Sequence, residues 1–303
     1  MRRNSMNQTN RISIIILTND RPILLRKALR SIRRQTRKPY EVIIVDDSRT
    51  RQEETRRVIS EFRALRCSVV RNTEHSIAYG RSAGMLAARG DIVVYLDDDC
   101  EAHPAYLEGF FVHFQKKSPP DAVVGYIVNA RPDNVYAATQ YAFYQRGIYR
   151  YFRDASTPSE IRWGRMLDCE VLGIRRTVLK KVGFVMRHRR YRNDDIDLGL
   201  RLLARGKTIL FDPSIVARTT PRVSLSGLWS AAFWNGYSDA ATVRAYGIDL
   251  RSAPYPLSFL PWLKTEYTNP RFRGFMKLKY VFLLCSFPAI SRIGMVWFRV
   301  SHV

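Results

Sequence analysis

Past its first ten residues the chain alternates two patterns: short β-branched apolar runs, and stretches whose apolar positions recur every three to four residues. Residues 12–17 read as a buried strand. Pro22 then sits where the first turn of a helix accepts proline, with Asn19 or Asp20 as its cap, and Ile23, Leu24, Ala28, Leu29 and Ile32 share one helical face. A second strand at 41–45 runs into Asp46-Asp47-Ser48, and a charged helix at about 52–65, a strand at 67–70 and a helix at about 79–88 follow. A strand at 92–96 runs into Asp97-Asp98-Asp99. Strand, helix, strand, repeated, predicts an α/β fold with a mostly parallel sheet flanked by crossover helices.

The later chain predicts a helix over 104–117 and a strand over 122–128, then a tyrosine-rich insertion at 136–152 interleaved with Arg146, Arg150 and Arg153. Strand-like residues return at 168–174. A basic loop at 187–192 leads into Asn193-Asp194-Asp195 and a helix over 196–204, and the last clear strand is expected at 207–211. The catalytic core is expected to end near residue 222, which divides the chain into 1–222 and a helical extension, 223–303.

That extension changes character. From 251 to 303 there are eight Lys/Arg and one acid, Glu266, among many Trp, Phe, Tyr and Pro. Residues 280–298 hold one charge, Arg292, and are interrupted by Pro288. A spanning helix needs about 20 mainly apolar residues, and a central arginine costs roughly 2.5–3.5 kcal/mol. The segment therefore reads as lying on or dipping into a membrane interface, with ordinary packing on the sheet as the alternative. Residues 1–10 are polar and precede no apolar stretch of signal-peptide length, so nothing there targets secretion.

Charge widens the question before it narrows it. The 303 residues carry 50 Lys+Arg against 27 Asp+Glu, a formal +23, and arginine outnumbers lysine 40 to 10. Such an excess suits a polyanionic partner or an enzyme with phosphorylated substrates, although a GC-rich genome gives the same arginine skew. The four cysteines, Cys67, Cys100, Cys169 and Cys285, form no CxxC pair and no zinc spacing, which points to a reducing, cytosolic setting. Chemistry enters through the acids. In open α/β sheets ligands bind beyond the carboxyl ends of the strands, and both acidic clusters fall there, so one crevice gathers carboxylates that need a cation or donors among them.

Taken in order, ISIIILTNDRP, EVIIVDDS, YGRSAGMLAARGDIVVYLDDDC, VLGIRRTVLKKVGFV and NDDIDLGLRLLARG resemble a family 2 glycosyltransferase of the GT-A fold, over roughly residues 12–220. The resemblance implies that Asp46, with Asp47 beside it, accepts a hydrogen bond from the nucleotide base, and that Thr18 and Asn19 pack over base and ribose. Asp20 is either a ligand or a plain helix cap. Arg81, near Gly84, would meet a nucleotide phosphate or a strand-end aspartate. In the Asp-x-Asp element, Asp97 would reach ribose or sugar, Asp99 would ligate Mn2+ or Mg2+ with Asp97 close by, and Asp98 would either point away or support the nucleotide site from between them. Asp195, with Asp194 before it and Asp197-Leu198 after, would be the general base that deprotonates the acceptor hydroxyl, so that transfer proceeds with inversion. Asp168, Glu170 and Gly173 would form the donor-sugar and acceptor pocket, and Arg192, in the basic loop, would hold a diphosphate or an acceptor phosphate.

Two departures qualify the resemblance. The stretch after the last strand, Ala217-Arg218-Thr219-Thr220-Pro221-Arg222, has no histidine for the diphosphate, so Arg218 or Arg222 would substitute. The Gln-x-x-Arg-Trp element of processive synthases is absent around Trp229, Trp234, Asn235 and Tyr237, which favours single additions. The expected protein is thus a metal-dependent inverting glycosyltransferase using a nucleotide sugar, UDP-linked by preference. Its acceptor would be a glycan or lipid-linked hydroxyl, and its site of action the cytoplasmic face of an anionic membrane, without nucleic acid as a partner. A basic nucleic-acid-binding protein, a nucleotidyltransferase and an inactive scaffold are the alternatives; the acidic clusters, the lack of a glycine-rich basic loop after the first strand, and the presence of Asp97, Asp99 and Asp195 weigh against each in turn.

Overall fold

The computed structural model describes residues 10–151, 157–162, 167–184, 191–221, 223–247, 263–264, 266–268 and 270–301. The first half follows the apolar pattern closely. Strands β1 (Ile12–Thr18), β2 (Glu41–Asp46), β3 (Cys67–Arg71) and β4 (Ile92–Asp97) alternate with helices α1 (Pro22–Arg33), α2 (Gln52–Ser60) and α3 (Ile77–Ala87). All pairings among these four strands are parallel, in the order β3-β2-β1-β4. Helices cover both faces, so Ile14, Ile15, Ile16 and Val42 to Val45 are wholly buried, which is why these strands read as unbroken apolar runs.

The second half is mixed. Strands β5 (Cys100–Ala102), β6 (Ala122–Asn129), β7 (Ser159–Glu160), β8 (Leu172–Arg175) and β9 (Ile209–Thr219) extend the sheet as β4-β8-β6-β9-β5, with β7 on β9. Strand β8 runs antiparallel to β4 and β6, while β6 and β9 are parallel. Between these lie α4 (Tyr106–Phe114), α5 (Val135–Tyr151), α6 (Arg176–Val182) and α7 (Asp194–Leu203), and beyond residue 222 come α8 (Leu225–Tyr246) and α9 (Gly274–Ser301).

Four sequence expectations change. Asp20 does not cap α1: at φ 53° it turns back, and its Oδ1 accepts from the backbone N–H groups of Arg49, Thr50 and Arg51, closing the start of α2. Burial alone would raise this carboxyl, but those three donors hold it below its ordinary value. Residues 168–174 begin not as strand but as a 3-10 turn, Cys169–Val171, because Asp168 accepts from the Glu170 N–H at 2.9 Å. The last strand does not stop at 211. Finally, α9 runs unbroken through Pro288, although proline removes one donor from its ladder.

Packing offsets that loss. Tyr280, Leu283, Leu284 and Phe287 join Val135, Ala138 and Leu228 in a second apolar cluster, and the rings of Phe143 and Phe287 stack at 4.4 Å. Two glycines let the backbones of α8 and α9 touch: a Cβ on Gly294 would run into the carbonyl oxygen of Phe233, and one on Gly236 into that of Ser291. Gly294→Val should therefore cost about 1–3 kcal/mol through overpacking, read as a lower urea midpoint. An unchanged midpoint would mean that the two helices are not in contact.

Candidate active site

Strands β1, β2 and β4 all end at one crevice of about 1210 Å³. Its walls are the first turn after β1, the Asp168–Glu170 turn, the N-terminus of α7 and one side of α8, which contributes Trp234 and Asn235. Topology alone explains the convergence of parallel strand ends and helix starts.

At one end, Thr18, Asn19 and Asp47 line the crevice together with His75. His75 Nδ1 lies 2.6 Å from Asp47 Oδ1, and Asn19 Nδ2 donates to Asp47 Oδ2 at 3.0 Å. Burial pushes the Asp47 carboxyl up, against the pull of His75, Arg49 and Arg71. Asp46 does not reach the crevice. Its carboxylate accepts from the Ser48 N–H at 2.9 Å and from Arg71 Nη1 at 3.0 Å, so it shapes the turn that presents Asp47. Sequence reasoning missed His75, which takes the left-handed φ of 51°.

The acidic triplet splits where β4 ends at Asp97 and the chain turns through Asp98 and Asp99. Asp97 and Asp99 face the crevice, while Asp98 is fully buried behind it, accepting from Thr18 Oγ1 at 2.8 Å and pairing with Arg21 Nη2 at 2.7 Å. Burial, with the charges of Asp99 and Asp97 adding, raises Asp98 to about 7 despite Arg21 and Thr18. Arg21 also donates to Asp99 at 3.0 Å. Facing the triplet, the Asp168–Glu170 turn brings two more carboxylates. Burial and then the charges of Asp168, Asp97 and Asp99 hold Glu170 well above its ordinary value; burial sets Asp168 at about 6. One ligand atom each from Asp99, Cys100 and Glu170 lies within 4.8 Å of the others. Two of these donors, Asp99 and Glu170, are hard carboxylate oxygens whose crowding suits a Mn2+ or Mg2+ ion, while the third is the Cys100 thiol, which donates to Glu170 at 3.5 Å.

The third group stands at the start of α7. Arg81, on α3 and buried, places Nη1 2.7 Å from Asp194 and Nη2 3.7 Å from Asp97, joining the α7 start to the β4 end. Asp195 lines the crevice next to this pair, its Oδ1 accepting from the Ile196 N–H at 2.7 Å. Burial, then the charge of Asp194, raise Asp195 well above an ordinary carboxyl, against the pull of Arg81. Asp197 points elsewhere: it pairs with Arg201 at 2.6 Å and accepts from Tyr246 at 2.6 Å, tying α7 to α8.

Gly173 is not on the crevice wall. It lies on β8 under the Phe110 ring, where a Cβ would collide. Arg192 does line the crevice, its backbone N–H fixed by Ser238 Oγ at 3.0 Å. Arg218 sits exposed on β9 opposite Glu101, and the crevice there is lined by Thr219 and Thr220 instead. Arg153, Arg222 and residues 187–190 of the basic loop lie outside the described residues. Arg131, Trp234 and Asn235 are crevice residues that the sequence did not single out as ligands.

Residues 13–183, more than half of the chain, match the family described as glycosyl transferase family 2. An uncharacterized glycosyltransferase, YwdF, of Bacillus subtilis is 36% identical over 98 residues, covering 32% of this chain and 36% of that protein. The putative colanic acid biosynthesis glycosyl transferase WcaA of Escherichia coli is 32% identical over 106 residues, covering 35% and 38%. The matched stretch thus spans little more than a third of these relatives. Among solved structures, the mannosyltransferase PcManGT from Pyrobaculum calidifontis, in complex with GDP-Man and Mn2+, superposes with a TM-score of 0.60 at 17% identity, over 97% of this chain and 76% of that one. TarS of S. aureus in complex with UDP-GlcNAc gives 0.56 at 14% identity, over 96% and 92%. The fold they share with this chain is the GT-A fold expected from the sequence, a mixed, curled sheet flanked by helices.

Proposed function

The chain belongs to glycosyl transferase family 2, and on that premise we propose that it transfers one sugar at a time, with inversion, from a nucleotide diphosphate sugar to a hydroxyl of a glycan or lipid-linked acceptor. The observation that carries this reading is the sharing of one crevice by the strand-end carboxylates Asp97 and Asp99 and the α7 carboxylate Asp195. UDP is the preferred donor nucleotide. Asp47, polarised by His75 and Asn19, accepts a ring N–H of the base, and Thr18 lines the ribose side. Asp99 and Glu170, with Asp97 beside them, would hold a Mn2+ or Mg2+ ion, whose charge offsets that of the diphosphate leaving group when bound.

Asp195 takes the proton of the attacking hydroxyl. Its raised pKa suits that role, because a base strong enough to accept the proton must not be a fully relaxed carboxylate. Arg81 positions both sides of the reaction by fixing Asp194 and Asp97 at once. Asp168 lies in the donor-sugar pocket, and Arg192 and Arg131 offer cations to the diphosphate or an acceptor phosphate. Residues 1–222 form the nucleotide-sugar-binding and catalytic part and 223–303 the helical extension, α8 lending Trp234 and Asn235 to the crevice. All four cysteines are free, which supports a cytoplasmic setting.

A thermal-shift screen tests the reading. At a hundredfold excess over Kd, a nucleotide or nucleotide sugar with Mn2+ should stabilise the protein by about 2.7 kcal/mol, and Asp99→Ala should remove the metal dependence. No shift with any nucleotide would overturn it.

A further inference from the structure

The structure gives α9 two faces. One, carrying Tyr280, Leu283, Leu284, Phe287 and Phe298, is buried in the protein. The other is apolar and bare: Phe275, Leu278, Phe282, Ile293, Trp297 and Val300 are each between 55 and 76% exposed. At 100° per residue these six fall on one stripe along the whole 28-residue helix. One of its borders is basic. Arg292 and Arg299, both exposed, stand along that edge, whereas the Lys279 ammonium turns back over the Tyr136 ring at 4.6 Å; α9 contains no Asp or Glu. An apolar stripe this long, edged by cations whose stems can lie along it while their heads reach outward, matches a surface that is hydrocarbon below and anionic above.

We propose that the exposed face of α9 seats on an anionic lipid surface with the helix axis in the membrane plane. Length and composition alone would also allow α9 to cross a bilayer. Its packing argues for the plane. Gly236 and Gly294 bring α8 and α9 into backbone contact, and the Trp234 and Asn235 of that same α8 line the crevice, so α9 cannot sink into hydrocarbon without taking the crevice wall with it. Spanning would also bury Arg292. Seated in the plane, α9 holds α8 at the lipid surface, and the crevice side walled by Trp234 and Asn235 stays within reach of an acceptor anchored there. This last consequence rests on the transfer reaction proposed above; the seat itself does not.

Flotation of the full chain with vesicles tests the seat without reference to activity. The protein should float with phosphatidylcholine vesicles containing phosphatidylglycerol, and less with phosphatidylcholine alone. Phe282→Glu/Trp297→Glu, which changes only exposed positions, and Arg292→Glu/Arg299→Glu should each weaken binding about tenfold or more while leaving the thermal midpoint and the nucleotide-induced shift intact. High salt should release the bound protein. Equal flotation of wild type and both variants would overturn the proposal, as would retention after an alkaline carbonate wash, which would indicate a spanning helix. A dimer by light scattering that Phe282→Glu dissolves, without vesicle binding, would assign the face to a second copy instead. A nucleotide-induced shift without flotation would remove only the membrane seat; flotation without the shift would remove only the transferase reading.

Discussion

Asp195→Asn should lower kcat by about 10²- to 10⁴-fold while leaving nucleotide affinity close to that of the wild type. The substitution keeps the volume of the side chain and an oxygen to accept from the Ile196 N–H, so the start of α7 is preserved and only the basicity is lost. The pH profile carries the same assignment. Asp195 works deprotonated and its pKa is raised by burial and by Asp194, so kcat should climb with pH through a value well above that of a free carboxyl and then level off. Asp194→Asn removes the neighbouring negative charge and should shift that limb to lower pH. Initial rates for chemistry and calorimetry for nucleotide binding separate the two effects. A loss of only a few fold, or a loss shared equally by nucleotide affinity, would remove Asp195 from the role of base.

How far the sequence went can be read from particular residues. The β1, β2 and β4 ends were legible because parallel strands buried on both faces leave unbroken apolar runs, and the acids after them mark where burial stops. The division of Asp97-Asp98-Asp99 was not legible from strand period: β4 ends at Asp97, and the turn through Asp98 and Asp99 buries Asp98 against Thr18 and Arg21 while Asp99 returns to the crevice. The end of β9 was not legible. Asp212-Pro213-Ser214 reads as a turn, yet the strand continues to Thr219, because β6 shifts register between Val124 and Tyr126 and resumes pairing at Val216. Gly125 makes that possible, since a Cβ there would collide with the Ile215 carbonyl oxygen. Asp212 in turn accepts from the Ser214 N–H and hydroxyl, satisfying the turn-like groups inside a strand. His75 and Asn235 were illegible for a different reason. Each gains its meaning from a partner or wall supplied by distant chain, and one sequence carries no trace of that proximity. Gly173 shows the converse error: it lies close to Asp168 and Glu170 in sequence, but β8 turns it toward Phe110.

Arg81→Met should destabilise the protein by about 3–5 kcal/mol, because it removes one partner of a buried ion pair and leaves Asp194 uncompensated. Both groups are buried and 2.7 Å apart, so solvent screens the pair little. The deficit should depend on pH with a definite sign. Without Arg81, the burial that already raises Asp194 acts unopposed, so its folded pKa rises further above the unfolded value. Such a group contributes stability that is fully present below the unfolded pKa and is lost as the pH rises through the folded one, so the loss should be small near about pH 4 and grow toward about pH 8. Asp168 and Asp98, raised to about 6 and about 7 chiefly by burial, already act in that sense in the wild type. The double variant Arg81→Met/Asp194→Asn should recover most of the stability at neutral pH, since it removes the stranded charge as well as its partner. Urea denaturation of the wild type and both variants at two pH values measures all of this. A deficit below about 1 kcal/mol at neutral pH, the range of exposed pairs, would show that Arg81 and Asp194 are solvated in the folded protein and that the wall between nucleotide site and base is looser than the structure has it.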